Sequence, residues 1–231
     1  VTSTVPVGIA VDATPAPRPG RVTLEGRFVV IVPFDLAAHG RELFDRSSGA
    51  ENDALWAYLG QGPFADFASF SAYYAEAAKK DDPLLFTILD KASGRAVGHA
   101  TYMRIAPQDR AVEVGNILYT PAMQRTAGAT EAMYLMARHV FDDLGYRRYE
   151  WKCNDLNVPS RRAAKRYGFQ YEGTFRQHMI VKGRNRDTAW FSMLDSEWPR
   201  VKQGFEAWLD PANFDAQGRQ KTSLDCGAET A

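Results

Sequence analysis

The sequence predicts an α/β (α+β) domain: one mixed, mostly antiparallel twisted sheet with helices on both faces. Three observations predict it. Residues 84–90, 96–106 and 111–119 are strand-like runs separated by turn-length gaps, the signature of an antiparallel meander. Residues 130–144 then set Met133, Met136, Val140 and Leu144 on one helical face, Gly145 stops that helix, and residues 148–153 (RYEWKC) resume a strand. A helical crossover between two strands of one sheet makes that pair parallel. Residues 169–179 and 187–195, turning at 182–186, close the sheet with a hairpin.

The remaining elements follow in order. Residues 22–33 (VTLEGRFVVIVP) are β-branched and predict an opening strand, and residues 36–46 and 53–59 have the mixed spacing of short helices. In residues 64–80 the aromatics Phe64, Phe67, Phe70, Tyr73 and Tyr74 recur at three- and four-residue steps, which predicts an amphipathic helix. Residues 159–167 predict a short helix closed by Gly168, and residues 199–209 a final amphipathic helix. The expected organisation is an N-terminal arm over residues 1–21, one domain over 22–210 and a flexible polar tail over 211–231.

Composition narrows the function. A chain of 231 residues, 45% of them hydrophobic, supplies one core with extensions. Lys plus Arg equals Asp plus Glu at 28 each, so no global field favours nucleic acid or an acidic membrane surface, and neither is expected as a partner. Cys153 and Cys226 lack the spacing of a metal site or a disulfide framework, so no metal is expected and a cytoplasmic location fits. The proline-rich start lacks the charged head and apolar run of a secretory signal, and no stretch reaches membrane-spanning length.

The chemistry concentrates at residues 124–131 (QRTAGATE), small residues leading from a strand into the long helix. Unpaired N–H groups at a helix start, with the helix dipole behind them, attract phosphate oxygens, and small side chains admit a diphosphate to the backbone. A simple capped turn explains the same residues equally well. Neither a Walker A pattern nor a dinucleotide GxGxxG fits.

The surroundings add weight. The strand ending Ile117-Leu118-Tyr119, then Pro121, the loop, the long helix, a strand, and Asn157 and Ser160 opening a helix that ends in Gly168-Phe169 together resemble the core of the GNAT superfamily of N-acetyltransferases. Thr23-Leu24-Glu25-Gly26, Thr130-Glu131-Ala132, Tyr171-Glu172-Gly173 and Arg184-Asn185-Arg186-Asp187 resemble its RimJ/RimL-like branch, named for enzymes that acetylate ribosomal-protein N-termini. The resemblance spans roughly residues 22–195 and implies transfer of an acetyl group from acetyl-CoA to a primary amine, on a small molecule or a protein N-terminus, by direct attack in a ternary complex.

Carried over by motif, Gln124, Arg125, Thr126, Ala127, Gly128 and Ala129 would hold the CoA diphosphate. Ile117, Leu118 and Tyr119 would offer backbone groups to pantetheine as an added strand does, although ordinary sheet core accounts for their side chains. Asn157 and Ser160 would contact the cofactor, cap the short helix, or do both. The family usually has glycine where Ala127 stands, and an alanine there costs about 1 kcal/mol if positive φ is required, nothing if the position is helical.

Acetyl transfer needs a neutral amine, a stabilised oxyanion and a proton for the leaving thiolate. At pH 7 an α-amine loses its proton for about 1–1.4 kcal/mol and a lysine amine for about 4.6, so an α-amine needs only a weak base. Ser160 matches the branch's thiolate proton donor, Glu113 is a candidate base through water, and His178 is a further candidate near a position where Met179 replaces an expected carboxylate. A surface charge and a structural hydrogen-bonder are the alternative readings of Glu113 and His178. Trp56, Tyr58 and Tyr102 are candidates to line the acceptor pocket. Two other classes stand beside the enzyme: a non-catalytic acyl-CoA-binding or sensing module, suggested by Ala127, Ala164 and Met179, and a structural oligomer exchanging its arm. Monomer and homodimer are both compatible with the sequence.

Overall fold

The computed structural model describes residue 5 and residues 7–227. The ends of the expected arm and tail, residues 1–4, 6 and 228–231, lie outside the described residues. Eight strands form one sheet in the order β1-β2-β3-β4-β5-β6-β8-β7. The strands are β1 (Leu24–Glu25), β2 (Val29–Pro33), β3 (Leu84–Asp90), β4 (Ala96–Ala106), β5 (Ala111–Tyr119), β6 (Arg148–Asn154), β7 (Gln170–Val181) and β8 (Arg184–Leu194). Every neighbouring pair is antiparallel except β5 with β6, which the long helix links. The helices are α1 (Arg41–Ser47), α2 (Phe67–Ala77), α3 (Ala127–Arg138), α4 (Val158–Arg166) and α5 (Trp198–Leu209).

Alternation along the strands assigns the two faces of the sheet. Val29 and Ile31, Phe86 and Ile88, Val112 and Val114, Tyr149 and Trp151, and Phe191 and Met193 join α3 and α5 in the main core. On the opposite face Leu85 and Leu118 meet Phe34, Leu43, Trp56, Phe70 and Tyr74, so residues 34–80 form a roof over β3, β4 and the end of β5. The expected single strand over residues 22–33 is two, because the chain turns at Gly26 and restarts at Val29.

That turn is held by a group the sequence does not advertise. Glu131, 4% exposed on α3, accepts hydrogen bonds from the backbone amides of Arg27 (2.7 Å), Phe28 (2.6 Å) and Val29 (2.9 Å). A carboxylate receiving three amides replaces the ladder bonds that the turn interrupts, and fixes the first turn of α3 to the sheet. Gly26 is required by this approach: a Cβ there would overlap the Glu131 carboxylate.

Helix boundaries follow local capping. Asp66, Thr126 and Asn157 cap α2, α3 and α4 with their side chains, and Gly145 turns at φ +65 after α3 and the π turn His139–Asp143. The predicted helices over residues 36–46 and 53–59 become a π turn (Leu36–Gly40) with α1, and a 3-10 segment (Ala50–Trp56).

The expected unstructured tail is a correction. Asn213 donates to Trp208 O (2.9 Å) and accepts from Thr222 N (2.9 Å), Cys226 is buried, and its Cβ lies 3.0 Å from where a Cβ on Gly168 would stand. Residues 211–227 thus cross back over α5 because a few side chains satisfy the backbone, which low mean hydropathy conceals. Within the arm, Ala16 is buried and donates to Pro107 O (3.0 Å), and Asp12 pairs with Arg110 (2.6 Å).

Candidate active site

The site begins where the parallel pair ends. β5 and β6 pair from Ala111↔Arg148 to Val114↔Trp151 and no further, although β5 runs on to Tyr119 and β6 to Asn154. β6 stays paired to β8 along its whole length, and β5 rejoins β4 at Leu118 and Tyr119 across a bulge where Asn116 takes φ 47. The gap therefore opens between β5 and β6 and leaves backbone of residues 115–119 without a strand on that side. Leu118 is buried beneath the roof and Ile117 packs on the main core, so their side chains are core and only their backbone faces the gap. Tyr119 donates its hydroxyl to Ala129 O (3.1 Å), tying strand to helix.

The loop above the gap holds donors in reserve. Gln124 N donates to Thr120 O (3.2 Å), Thr126 N to Met123 O (3.4 Å) and Ala129 N to Thr126 Oγ1 (3.1 Å). The amides of Arg125, Ala127 and Gly128 have no partner among the described residues. Gln124 is occupied through its side chain, which donates to Tyr119 O (3.1 Å). A depression of about 280 Å³ adjoins the helix start, lined by Thr126, Ala127 and Gly128 and, from across, by Arg46, Ser93 and Arg95.

The alanine in place of the usual glycine costs nothing here. Ala127 is the first residue of α3, and the left-handed residue of the loop is Arg125 at φ 61. Gly128 serves packing: a Cβ there would lie 2.8 Å from Val29 Cγ1, so its absence lets the helix start close on β2.

Asn157 caps α4 by accepting from Ser160 N (3.1 Å). Ser160 Oγ accepts from Trp151 Nε1 (3.0 Å), which leaves its own proton free to donate. Cys153 lies on β6 beside this serine, buried, and burial pushes its thiol up from the ordinary value.

On the roof's side of the sheet, β4, β5 and β6 carry a charged network. Glu113, 3% exposed, accepts from Arg104 (2.6 Å) and pairs with Lys152 (3.0 Å), which is itself 3% exposed, pairs with Glu150 (2.6 Å), and lies 3.8 Å over the Trp190 ring. Arg148 continues the chain to Glu150 and Glu172, both at 2.6 Å. Burial would raise the Glu150 carboxyl, but bonds from Lys152 and Arg148 hold it below the ordinary carboxylate range. The Glu113 carboxylate is engaged by both Arg104 and Lys152, so its contacts organise this floor. His178 Nδ1 is 3.0 Å from Thr188 Oγ1, on the same face, with its ring edge-on to Phe175.

The aromatic candidates separate. Tyr102 is fully buried under α3, donating to Met136 O (2.9 Å), on the face opposite the network; the expectation that it lines the acceptor pocket is corrected by strand alternation. Trp56 is 1% exposed, donates to Ser47 O (2.7 Å) and packs on Phe64, so its side chain is roof core. Its carbonyl nevertheless accepts from Lys182 Nζ (2.8 Å) at the β7–β8 tip, and Tyr58 donates to Leu156 O (3.2 Å) beyond β6. These two bonds strap the roof across the gap. Lys152, Arg104 and Glu150 escape sequence reasoning because charges on alternate strand positions read as a solvent face, and Arg186 because the expected turn over 182–186 is tighter, with β7 running to Val181 and β8 starting at Arg184.

Two strands of a twisted sheet parting beside a helix start with open amides define an acyltransferase-type cleft, and the comparisons agree. Residues 36–170 match the family model described as an acetyltransferase (GNAT) domain. The structure resembles a GCN5-related N-acetyltransferase from Brucella melitensis (TM-score 0.90, 51% identity, 92% of this chain and 96% of that one). It also resembles a GNAT-family acetyltransferase from Chromobacterium violaceum (TM-score 0.78, 38% identity, 86% and 100%). Among curated sequences, the uncharacterized N-acetyltransferase YnaD of Bacillus subtilis is 24% identical over 142 residues, 61% of this chain and 81% of YnaD. The chain belongs to the GNAT acetyltransferase family and is an acetyltransferase.

Proposed function

We propose that the protein transfers an acetyl group from acetyl-CoA to a primary amine that enters beneath the roof. The observation that carries the reading is the parting of β5 from β6 below the open amides of Arg125, Ala127 and Gly128. Those amides suit the diphosphate, the free backbone of residues 115–119 suits pantetheine as an added strand, and together they aim the thioester into the gap. Acetyl-CoA supplies the activated acyl group. Ser160 donates its proton to the departing thiolate and regains one from the nitrogen that has formed the new bond to the acetyl carbon, and the charged floor orients the amine from the other face. No cluster of three or more potential metal ligands occurs among the described residues, and the reading uses none.

The strapped roof supports an acceptor that is narrow: a small molecule or an extended protein N-terminus. The short motifs shared with the RimJ/RimL-like branch favour an α-amine, and a protein from Vibrio cholerae described as a putative ribosomal-protein-serine acetyltransferase shares the fold at 16% identity. Balanced charge supports a protein that works without nucleic acid or an acidic membrane surface, and two cysteines without a disulfide framework suit the cytoplasm; no helix among the described residues is long and apolar enough to cross a membrane.

Incubation with acetyl-CoA and a panel of primary amines, following release of the CoA thiol, tests the reading. Amine-dependent release is expected. Tight acetyl-CoA binding with no release by any amine favours an acyl-CoA sensor, and no binding overturns the cofactor assignment.

A further inference from the structure

The floor of the cleft has one cation more than it needs. Arg104, Lys152 and Arg148 pair off with Glu113, Glu150 and Glu172. Arg186, on the same face of β8, has no carboxylate within 4.0 Å among the described residues, although it is only partly exposed. Among the described residues its only side-chain hydrogen bond is from Nε to Thr188 Oγ1 (3.2 Å), the hydroxyl that also meets His178, so both terminal nitrogens of the guanidinium are unspent there. Cys153 on β6, Glu113 on β5 and Arg104 on β4 lie in the neighbourhood of this side chain, the first two flanking the gap. Burial also depresses its pKa from the ordinary guanidinium value.

A half-buried, unpaired guanidinium has lost hydration without gaining a bonded counter-ion, a cost that an anionic group with two oxygens to offer offsets with two parallel bonds. It stands on the face from which the amine must approach, and the roof straps through Lys182 and Tyr58 limit how far an acceptor can extend. We infer that Arg186 is the specificity residue for an acceptor that carries an anionic oxygen group, carboxylate or phosphate, a short chain away from its amine. A polyamine, or a peptide N-terminus with no acidic side chain close to its amine, would leave Arg186 unpaired and is disfavoured. The inference rests on the acetyl-CoA-to-amine reading above and names its acceptor class.

The test uses acetylated products as probes, so that it does not depend on the base. The protein saturated with CoA is titrated calorimetrically with N-acetylglycine, N-acetyl-β-alanine and N-acetyl-γ-aminobutyrate, each against its carboxamide, and with O-phospho-N-acetylethanolamine against N-acetylethanolamine. At least one acid is expected to bind roughly thirtyfold more tightly than its neutral partner, the arm in which it appears identifying carboxylate or phosphate. Arg186→Met is expected to abolish that ratio and Arg186→Lys to restore part of it, with CoA affinity unchanged in both. CoA binding without preference for any acid, or a preference that survives Arg186→Met, overturns the inference alone. Absence of CoA binding overturns the reading beneath it, and the inference with it.

Discussion

Replacing Glu131 tests how the cofactor end of α3 is held. Its carboxylate accepts three backbone amides, at 2.6 to 2.9 Å, from a position 4% exposed. A bond to a charged acceptor contributes about 1.5–3 kcal/mol, and each buried N–H left without an acceptor costs about 1–3. The three bonds share one turn and are not additive, so Glu131→Ala should lose about 3–5 kcal/mol and Glu131→Gln, which keeps one acceptor oxygen, about half of that. In a chain of 231 residues this is a fall in Tm on the order of 10 °C. Urea unfolding with an unchanged m-value measures it. Gly26→Ala should be destabilising in the wild type and nearly neutral in the Glu131→Ala background, because the carboxylate it would overlap is gone. A loss below about 1 kcal/mol for Glu131→Ala, or additive effects in the double variant, would refute the reasoning.

Other outcomes follow from the same structure. His99 is fully buried, 2.7 Å from the Tyr74 hydroxyl, with Nδ1 turned toward the Asn116 backbone but making no bond of standard geometry, and burial lowers its pKa to about 4. The unfolded chain therefore binds a proton there that the folded one refuses. Stability should be fully present above about pH 6.5 and decline as pH falls toward 4, by on the order of 3 kcal/mol, a slope that His99→Gln removes in pH-dependent urea unfolding. Glu113→Gln leaves the buried Lys152 underpaired and should cost about 3 kcal/mol while the acid limb of the acetylation pH profile persists; loss of that limb would restore Glu113 as the base. Gly128→Ala forces a methyl to 2.8 Å from Val29 and should cost about 1–3 kcal/mol with weaker acetyl-CoA affinity, read by thermal melting and calorimetry. Ser160→Ala should lower kcat roughly 10- to 100-fold with the KM for acetyl-CoA nearly unchanged, since Asn157 still caps the helix through the backbone.

The sheet was legible where pattern and punctuation agreed. Residues 84–90, 96–106 and 111–119 are strands with the predicted limits, because period-two alternation, a Ser-Gly turn and a short polar gap point the same way. Gly26 was not read as a turn, since its partner Glu131 lies a hundred residues on. The tail was hidden for the same reason: Asn213 and Cys226 act through contacts rather than composition. Within the site, the loop at 124–129 was visible as small residues before a helix, but the left-handed position at Arg125 depends on how the chain leaves β5. Tyr102 and Trp56 were indistinguishable from pocket aromatics until strand parity and the roof packing assigned them to cores. Lys152 could not be found because a buried charge and a solvated one occupy the same alternating positions in a sequence, and Arg186 because it falls in the expected turn over 182–186 whereas β8 begins at Arg184.

Amide chemical shifts recorded while CoA is titrated into the isotopically labelled protein test the central claim most directly. The N–H signals of Arg125, Ala127 and Gly128, and those of residues 115–119 beside the gap, should move together and saturate at one equivalent. Saturable shifts confined to other parts of the chain, with these amides unmoved, would contradict the placement of the diphosphate at the start of α3 and of the thioester arm between β5 and β6.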